Sequence, residues 1–387
     1  MRKIGKWVLR ILIVFVLAAV VVGLWQREQI TRLLAVNSLF SPEKIVHNFS
    51  NMDAAFLNTP VSRGNGPTAE LPYGDDADLP DSVDPWIDAR SVTALVVLKD
   101  GAIVHESYYK GTNPDDRRIS WSVAKSYLSA LFGVLVAEGA IASIDDPVVK
   151  YAEALKGGAY DGASIRNVLN MSSGVTFDED YLDPKSDINR MGRVLALGKS
   201  MDGFAAELQE TFTTAGAEWK YVSIDTHVLS MVVRGATGRP IAELLSEKII
   251  APMGVEQSPY YLTDGYGTAF VLGGLNLITR DYARMGQTFL QMGNYNGVQI
   301  VPEQWVMEST VPSAPTADGA IGYGYQWWIP QGAPEGEFLA RGIYGQYVYV
   351  NRPRGVVIAT NAADRKFRED GVADQNIAIF REIANNL

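Results

Sequence analysis

The sequence predicts an α+β fold: one antiparallel sheet formed by strands from the N- and C-terminal parts of the chain, flanked by helices and carrying an inserted helical subdomain. Two patterns predict it. β-Rich runs gather near residues 93–108 and again near 347–360. The stretch between them has mostly helical periodicity.

The elements follow in order. Residues 1–30 form an apolar leader, residues 31–60 a loosely helical lead-in, and residues 61–88 an extended Pro-, Gly- and Asp-rich surface segment. Thr93–Leu98 and Ala102–Tyr108 flank Lys99-Asp100-Gly101, and Asp-Gly between two β-rich runs signals a hairpin. Helical patterns occupy Ser126–Glu138, Ile165–Met171, Ile224–Gly235, Ile241–Ile250 and Arg280–Met292. Tyr347–Val350 and Val356–Thr360 form a closing strand pair, and an amphipathic helix follows at about Ala373–Ala384. The expected division is an N-terminal segment 1–30, a lead-in and linker 31–88, and one domain 89–387 whose helical subdomain spans roughly 126–290.

In the leader, Arg2, Lys3, Lys6 and Arg10 precede an uncharged run from Ile11 to Trp25. That run alone is short for a ~30 Å hydrocarbon core. Counting back to Trp7, with Arg10 snorkelling to the interface, brings it to a spanning length. The basic flank predicts a cytoplasmic N-terminus and an exported remainder, on the periplasmic or extracellular side. Gly23-Leu24-Trp25-Gln26-Arg27 is a poor cleavage site, which favours an uncleaved signal anchor over a cleaved signal peptide.

Composition excludes several classes. The 387 residues are 47% hydrophobic and 20% charged, an ordinary globular balance that excludes disordered, collagen-like and coiled-coil chains. A net charge of -10 argues against a nucleic-acid partner. The absence of cysteine excludes disulfides, zinc-thiolate sites, iron–sulfur clusters and a cysteine nucleophile. With only His47, His105 and His227 present, no metal and no cofactor is expected, and His105 and His227 read as structural.

Three short segments carry candidate chemistry. Ser122 and Lys125 form S-x-x-K ahead of a long apolar helix. Residues three apart share a helix face, so the lysine lies beside the serine hydroxyl. Burial would lower the lysine pKa and make it a base, and the Ser122 amide at the helix start would favour an oxyanion. The bland alternative is a Ser-capped helix with a solvated lysine; the apolar residues on nearly every side after Lys125 argue against it. The second segment is Tyr221-Val222-Ser223, where the tyrosine would relay a proton if a nearby ammonium lowered its pKa. Its alternative is a packed Tyr and an N-capping Ser. In the third, Ala340-Arg341-Gly342-Ile343-Tyr344-Gly345-Gln346, glycines allow close backbone approach, and the Ile343 amide is a candidate second oxyanion donor. A plain strand-entry turn would look the same. Asp178-Glu179-Asp180 reads as a solvated loop, and Trp327-Trp328 as sheet packing.

Together these segments, with Ile144-Asp145-Asp146-Pro147-Val148, Asn167–Gly174 and Gly273-Gly274-Leu275-Asn276, resemble the serine β-lactamase and penicillin-binding-protein superfamily over about residues 90–385. The class C β-lactamase-like branch is the nearest likeness, particularly its esterases and 6-aminohexanoate-dimer hydrolases. The resemblance implies a β-lactamase-like fold, with Ser122 as nucleophile, Lys125 as its activating partner and Tyr221 as proton relay. It implies an oxyanion hole from the amides of Ser122 and Ile343, and substrate contacts at Ser223, Asn276, Gly342 and Tyr344. Two departures stand out. Ser223 replaces the amide of Tyr-x-Asn, and Ala340-Arg341-Gly342 lacks the cation of Lys-Thr-Gly. If strand alternation holds, Arg341 points away from the cleft. The expected substrate is therefore a small ester or linear amide. A β-lactamase or D,D-peptidase is the first alternative, and an inactive cell-envelope binding protein the second. No G-x-S-x-G elbow supports a classical α/β-hydrolase.

Overall fold

The computed structural model describes residues 2–387. Strands β1 (Val92–Lys99) and β2 (Ala102–Tyr108) form the expected hairpin. Asp100 and Gly101 turn it with φ of 49° and 88°, the left-handed values a two-residue hairpin loop requires. The C-terminal part adds β3 (Glu337–Gly342), β4 (Gln346–Asn351) and β5 (Val356–Ala362). β5 pairs antiparallel with β1, so both ends of the domain share one sheet. Its order is β2-β1-β5-β4-β3, extended by Trp328–Ile329 and Gly322–Tyr323. The segment read as the entry to the last strand pair is thus the end of a further strand and its hairpin into β4.

The sheet is buried on both faces, so its strands read as near-continuous apolar runs. Val96, Leu98, Val348, Val350 and Val357 face the larger, helical side. Leu95, Val97, Tyr347, Tyr349 and Ile358 face the smaller one. The larger side holds α1 (Ala124–Ala137), α2 (Ser223–Thr237) and α3 (Thr279–Leu290). α3 lies directly on the strands. A Cβ at its Gly286 would sit 2.4 Å from Val357 Cγ1 and 2.8 Å from Val348 Cγ1, so glycine sets the helix–sheet spacing. α4 (Val372–Asn386) covers the other face with Ile377, Phe380 and Ile383. It meets a helix at Val83–Ala89, where Trp86 packs on Phe380 and donates to Asn376 Oδ1 at 2.7 Å. Residues 83–89 therefore depart from the expected extended segment. Pro85 is tolerated in that helix's first turns, and burial of Val83, Trp86 and Ile87 holds it.

Upstream, Arg2–Trp25 is a helix of 24 residues, long and apolar enough to cross a membrane by length and composition. A second helix, Arg27–Ser38, follows it and turns back to the domain. Its Arg32 Nε donates to the carbonyl of Ala196 at 2.9 Å. Leu39, Ile45, Phe49, Met52 and Phe56 are all buried in the main core. The stretch read as a lead-in is thus packed into the domain.

Candidate active site

Ser122 lies in the 3₁₀ turn Trp121–Val123, which runs straight into α1. Trp121 has φ of 42°, a left-handed backbone that costs a bulky residue about 1–3 kcal/mol. Packed rings hold it there. Its centroid lies 5.5 Å from Phe49, 5.8 Å from Phe40 and 6.3 Å from Tyr344. Lys125 follows on the first turn of α1 and is only 1% exposed. Its Nζ donates to the carbonyl of Leu272 at 2.8 Å and lies 5.5 Å from the Tyr221 ring centroid. The Ser122 side chain is close enough to the Tyr221 hydroxyl to lower its pKa. Three of the expected residues thus converge, Ser122 and Lys125 from one turn-and-helix segment and Tyr221 from the chain just before α2.

The backbone donors come from opposite sides. β3 ends against the Ser122 turn: a Cβ on Gly342 would be 2.6 Å from the carbonyl oxygen of Ser120 and 3.1 Å from the Ser122 nitrogen. Glycine is required for that approach. Ile343 and Tyr344 follow in the hairpin loop, where Tyr344 takes φ of 60° and stacks on Phe40 at 4.8 Å. The amides of Ser122 and Ile343 donate to no acceptor among the described residues. A cavity of about 390 Å³ opens on Ser122, Ser223, Ile343 and Tyr344. Asn276 is not in it. That side chain is fully buried in the small strand Leu275–Leu277 and donates to the carbonyl of Gly274 at 2.9 Å, so the expectation of a substrate contact is corrected. A larger cavity, about 600 Å³, lies by Thr59 and Pro240, away from Ser122. Its arginines are paired, Arg234 with Asp202 and Arg239 with Glu247.

Burial sets the protonation states. Desolvation lowers the Lys125 pKa to about 7, against the raising influence of Glu179 and Asp225. Burial raises the Tyr221 pKa, and the nearby Ser122 side chain only partly offsets this. Tyr221 is therefore a neutral hydroxyl, not the acidified one that would follow from a neighbouring ammonium. Glu179 corrects the reading of its loop as solvated. It is turned inward, accepts the Ser223 amide, and burial raises its pKa. Asp178 and Asp180 instead accept amides within the loop, at 2.9 and 3.0 Å. Asp225 is a residue that sequence reasoning missed. It is fully buried on the first turn of α2, accepts hydroxyls from Tyr160 at 2.6 Å and Ser173 at 2.8 Å, and burial raises its pKa to about 7. The signal was an acidic residue two positions after Ser223, in the first turn of a helix whose later turns are largely apolar.

Arg341 keeps the expected alternation, on the face of Leu339. Yet its guanidinium lies 5.5 Å over the Trp328 ring, which stacks on Tyr221 at 5.3 Å. Its charge lowers the Tyr221 pKa, and it has no acidic partner among the described residues. Trp328 thus backs the site, while Trp327 is plain packing against Phe289 and Phe338. Arg280 is engaged with Glu256 and Glu106. His227 pairs with Asp202 at 2.8 Å and His105 with Ser107 at 3.0 Å.

A family model described as Beta-lactamase matches residues 84–381. The chain belongs to the beta-lactamase family. Within it, a 6-aminohexanoate-dimer hydrolase of Paenarthrobacter ureafaciens is 32% identical over 288 residues, covering 70% of this chain and 72% of that protein. A Bacillus anthracis structure assigned as a 6-aminohexanoate-dimer hydrolase superposes with a TM-score of 0.80 at 24% identity, over 90% of this chain and 95% of its own. EstCE1, a hydrolase with promiscuous acyltransferase activity, superposes with a TM-score of 0.58 at 14% identity, over 78% of this chain and 95% of its own. The β-lactamase-like fold expected from the motifs is the fold observed.

The lowered Lys125 pKa generates a pH prediction for the case in which this amine serves as the base: only its neutral form accepts a proton, so kcat/KM is expected to rise with pH through an apparent midpoint near 7. Asp225→Asn removes a charge that favours the ammonium, so the midpoint moves to lower pH. Glu179 and Tyr221 face the same amine, and the midpoint belongs to the coupled group. Folding stability follows the same sign: it rises with pH from about 7 towards the ordinary lysine range, because the unfolded chain there binds a proton that the folded one does not. A pH–rate profile of both proteins checks this; an unmoved or raised midpoint in the variant contradicts it.

Proposed function

We propose that this beta-lactamase-family hydrolase is a serine enzyme that cleaves small esters or linear amides through an acyl-enzyme on Ser122. The supporting observation is a buried Lys125 amine with its pKa lowered to about 7, three residues from a serine whose side chain lies close to the Tyr221 hydroxyl. In the first half-reaction, Ser122 Oγ bonds to the substrate carbonyl carbon. Its proton passes to Lys125, directly or through Tyr221. Negative charge on the carbonyl oxygen is met by the amides of Ser122 and Ile343. The carbon–oxygen or carbon–nitrogen bond then breaks, and the leaving alcohol or amine takes the proton. Water repeats the sequence on the acyl-enzyme and frees the acid. Relatives named as a 6-aminohexanoate-dimer hydrolase and an acyl-transferring hydrolase fit this reading.

Ser122→Ala is expected to lower hydrolysis of p-nitrophenyl butanoate by at least about a thousandfold with the circular dichroism unchanged. Intact mass spectrometry should show one fluorophosphonate adduct on the wild type and none on the variant. A variant keeping more than about a tenth of the wild-type rate sinks the assignment.

Substrate class rests on Ala340 and Ser223. The first supplies no cation for a β-lactam carboxylate, a charge-assisted contribution of about 1.5–3 kcal/mol, and the second no side-chain amide. The unpaired guanidinium of Arg341, one ring away from Tyr221, favours the second reading, a β-lactamase or D,D-peptidase. kcat/KM for p-nitrophenyl butanoate, a linear aminohexanoate dimer and nitrocefin, measured side by side, separates them. The ester or amide should be fastest; nitrocefin ahead by about tenfold reverses the assignment.

Residues 1–30 form, on this reading, an uncleaved anchor that leaves the catalytic domain outside the cytoplasm. The basic flank, the poor cleavage site and the length of the Arg2–Trp25 helix support it. N-terminal sequencing of the membrane fraction should find the intact start; a mature N-terminus near residue 26 would refute the anchor.

A further inference from the structure

The cavity at Ser122 is apolar almost throughout. Val36, Phe40 and Phe56 face it from the N-terminal segment, and Ile188, Met191 and Leu272 from the domain. Two polar residues in its wall are already engaged. Asn189 Nδ2 donates to the carbonyls of Tyr181 at 3.1 Å and Asp183 at 2.8 Å, and Arg193 Nη1 donates to that of Pro184 at 2.7 Å. What remains facing a ligand is Asn37 on the Arg27–Ser38 helix, the Ser122 end with Ser223 and its two free amides, and an otherwise apolar space of about 390 Å³. The mouth is apolar too: Leu182 lines it while 82% exposed.

One wall of this cavity comes from the helix that follows the apolar N-terminal one. Gln26 N donates to the Val22 carbonyl and Ile30 N to the Gln26 carbonyl, both at 2.9 Å, so Gln26, with a non-helical φ of -97° and ψ of 13°, ends Arg2–Trp25 and starts Arg27–Ser38. Leu34, 63% exposed, and Ile30 leave apolar surface on the outside of this stretch. A carbonyl carbon at Ser122 thus has its oxygen directed to the amides and its chain directed into hydrocarbon.

We propose that this cavity is an acyl-chain pocket, so that the substrates are esters or amides of an extended apolar acid, with the Arg27–Ser38 helix forming the wall that faces the chain. The inference rests on the serine-hydrolase reading and deepens it. The same acyl chemistry reaches the site either from a lipid surface or dissolved in water.

The test uses the full-length protein in detergent and the p-nitrophenyl esters of acetic, butanoic, octanoic and dodecanoic acids. Each methylene moved from water into the pocket contributes about fourfold. kcat/KM for octanoate should therefore exceed that for acetate by at least about tenfold. Val36→Trp, which fills the wall, should collapse that octanoate-to-acetate ratio; Val36→Ala, which does not, should retain it. A flat or falling chain-length profile overturns the pocket. The serine reading has its own readout: fluorophosphonate labelling with a flat profile sinks the pocket alone, whereas loss of both labelling and ester turnover sinks the reading beneath it. A second arm reconstitutes the protein in phosphatidylcholine vesicles and compares dodecanoate ester carried in those vesicles with octanoate ester free in solution. Faster turnover of the vesicle-borne ester assigns the membrane as the source; faster turnover of the dissolved ester assigns the aqueous phase.

Discussion

A primary amine carried into a protein interior loses several kcal/mol of hydration, and the structure around it must answer for that loss. Lys125 meets this condition at the start of a helix that is buried on nearly every side. One hydrogen bond to Leu272 and two carboxylates within electrostatic reach are what the protein supplies in return. Neither carboxylate is comfortable by itself: Glu179 and Asp225 each keep one oxygen without a partner. Placed together, one amine and two acids exchange their difficulties, because any proton leaving one of them has a nearby neighbour to receive it. The reactivity proposed for Ser122 and the uneasy chemistry of this interior cluster would have the same origin.

The site also joins the two halves of the fold. The helical side contributes Ser122, Lys125 and Tyr221; the sheet contributes the Ile343 amide by running the end of β3 up to the serine turn. The relative position of helices and sheet is fixed where Gly286 lets α3 touch Val348 and Val357. The relative placement of Ser122 and the Ile343 amide thus depends on helix–sheet packing as well as on the loop that carries the donor.

Much of this was legible in the chain. Asp100-Gly101 announced its hairpin because the turn's backbone signs select those residues locally. Ser122, Lys125 and Tyr221 were legible because their spacing repeats a known arrangement and their surroundings are apolar. Glu179 was not, since an acid between two acids in a loop looks solvated until a distant helix offers it the Ser223 amide. Asp225 escaped for a similar reason: its partners Tyr160 and Ser173 lie more than fifty residues upstream. Asn276 shows the reverse error. A phrase that fits the family gave its identity but not its side-chain direction, which the small sheet turns inward. The ring contacts of Phe40 and Phe49 were invisible because nothing in a lead-in of mixed composition signals what it will lie against.

Those two rings belong to residues before position 84, where the matched family region begins. They brace Trp121, whose unfavourable backbone sets the direction in which the next residue, the serine, is presented. The stretch of chain ahead of the matched family region is therefore packed against the turn that carries Ser122. A fragment cut at that boundary lacks two of the rings that brace Trp121, beside the serine.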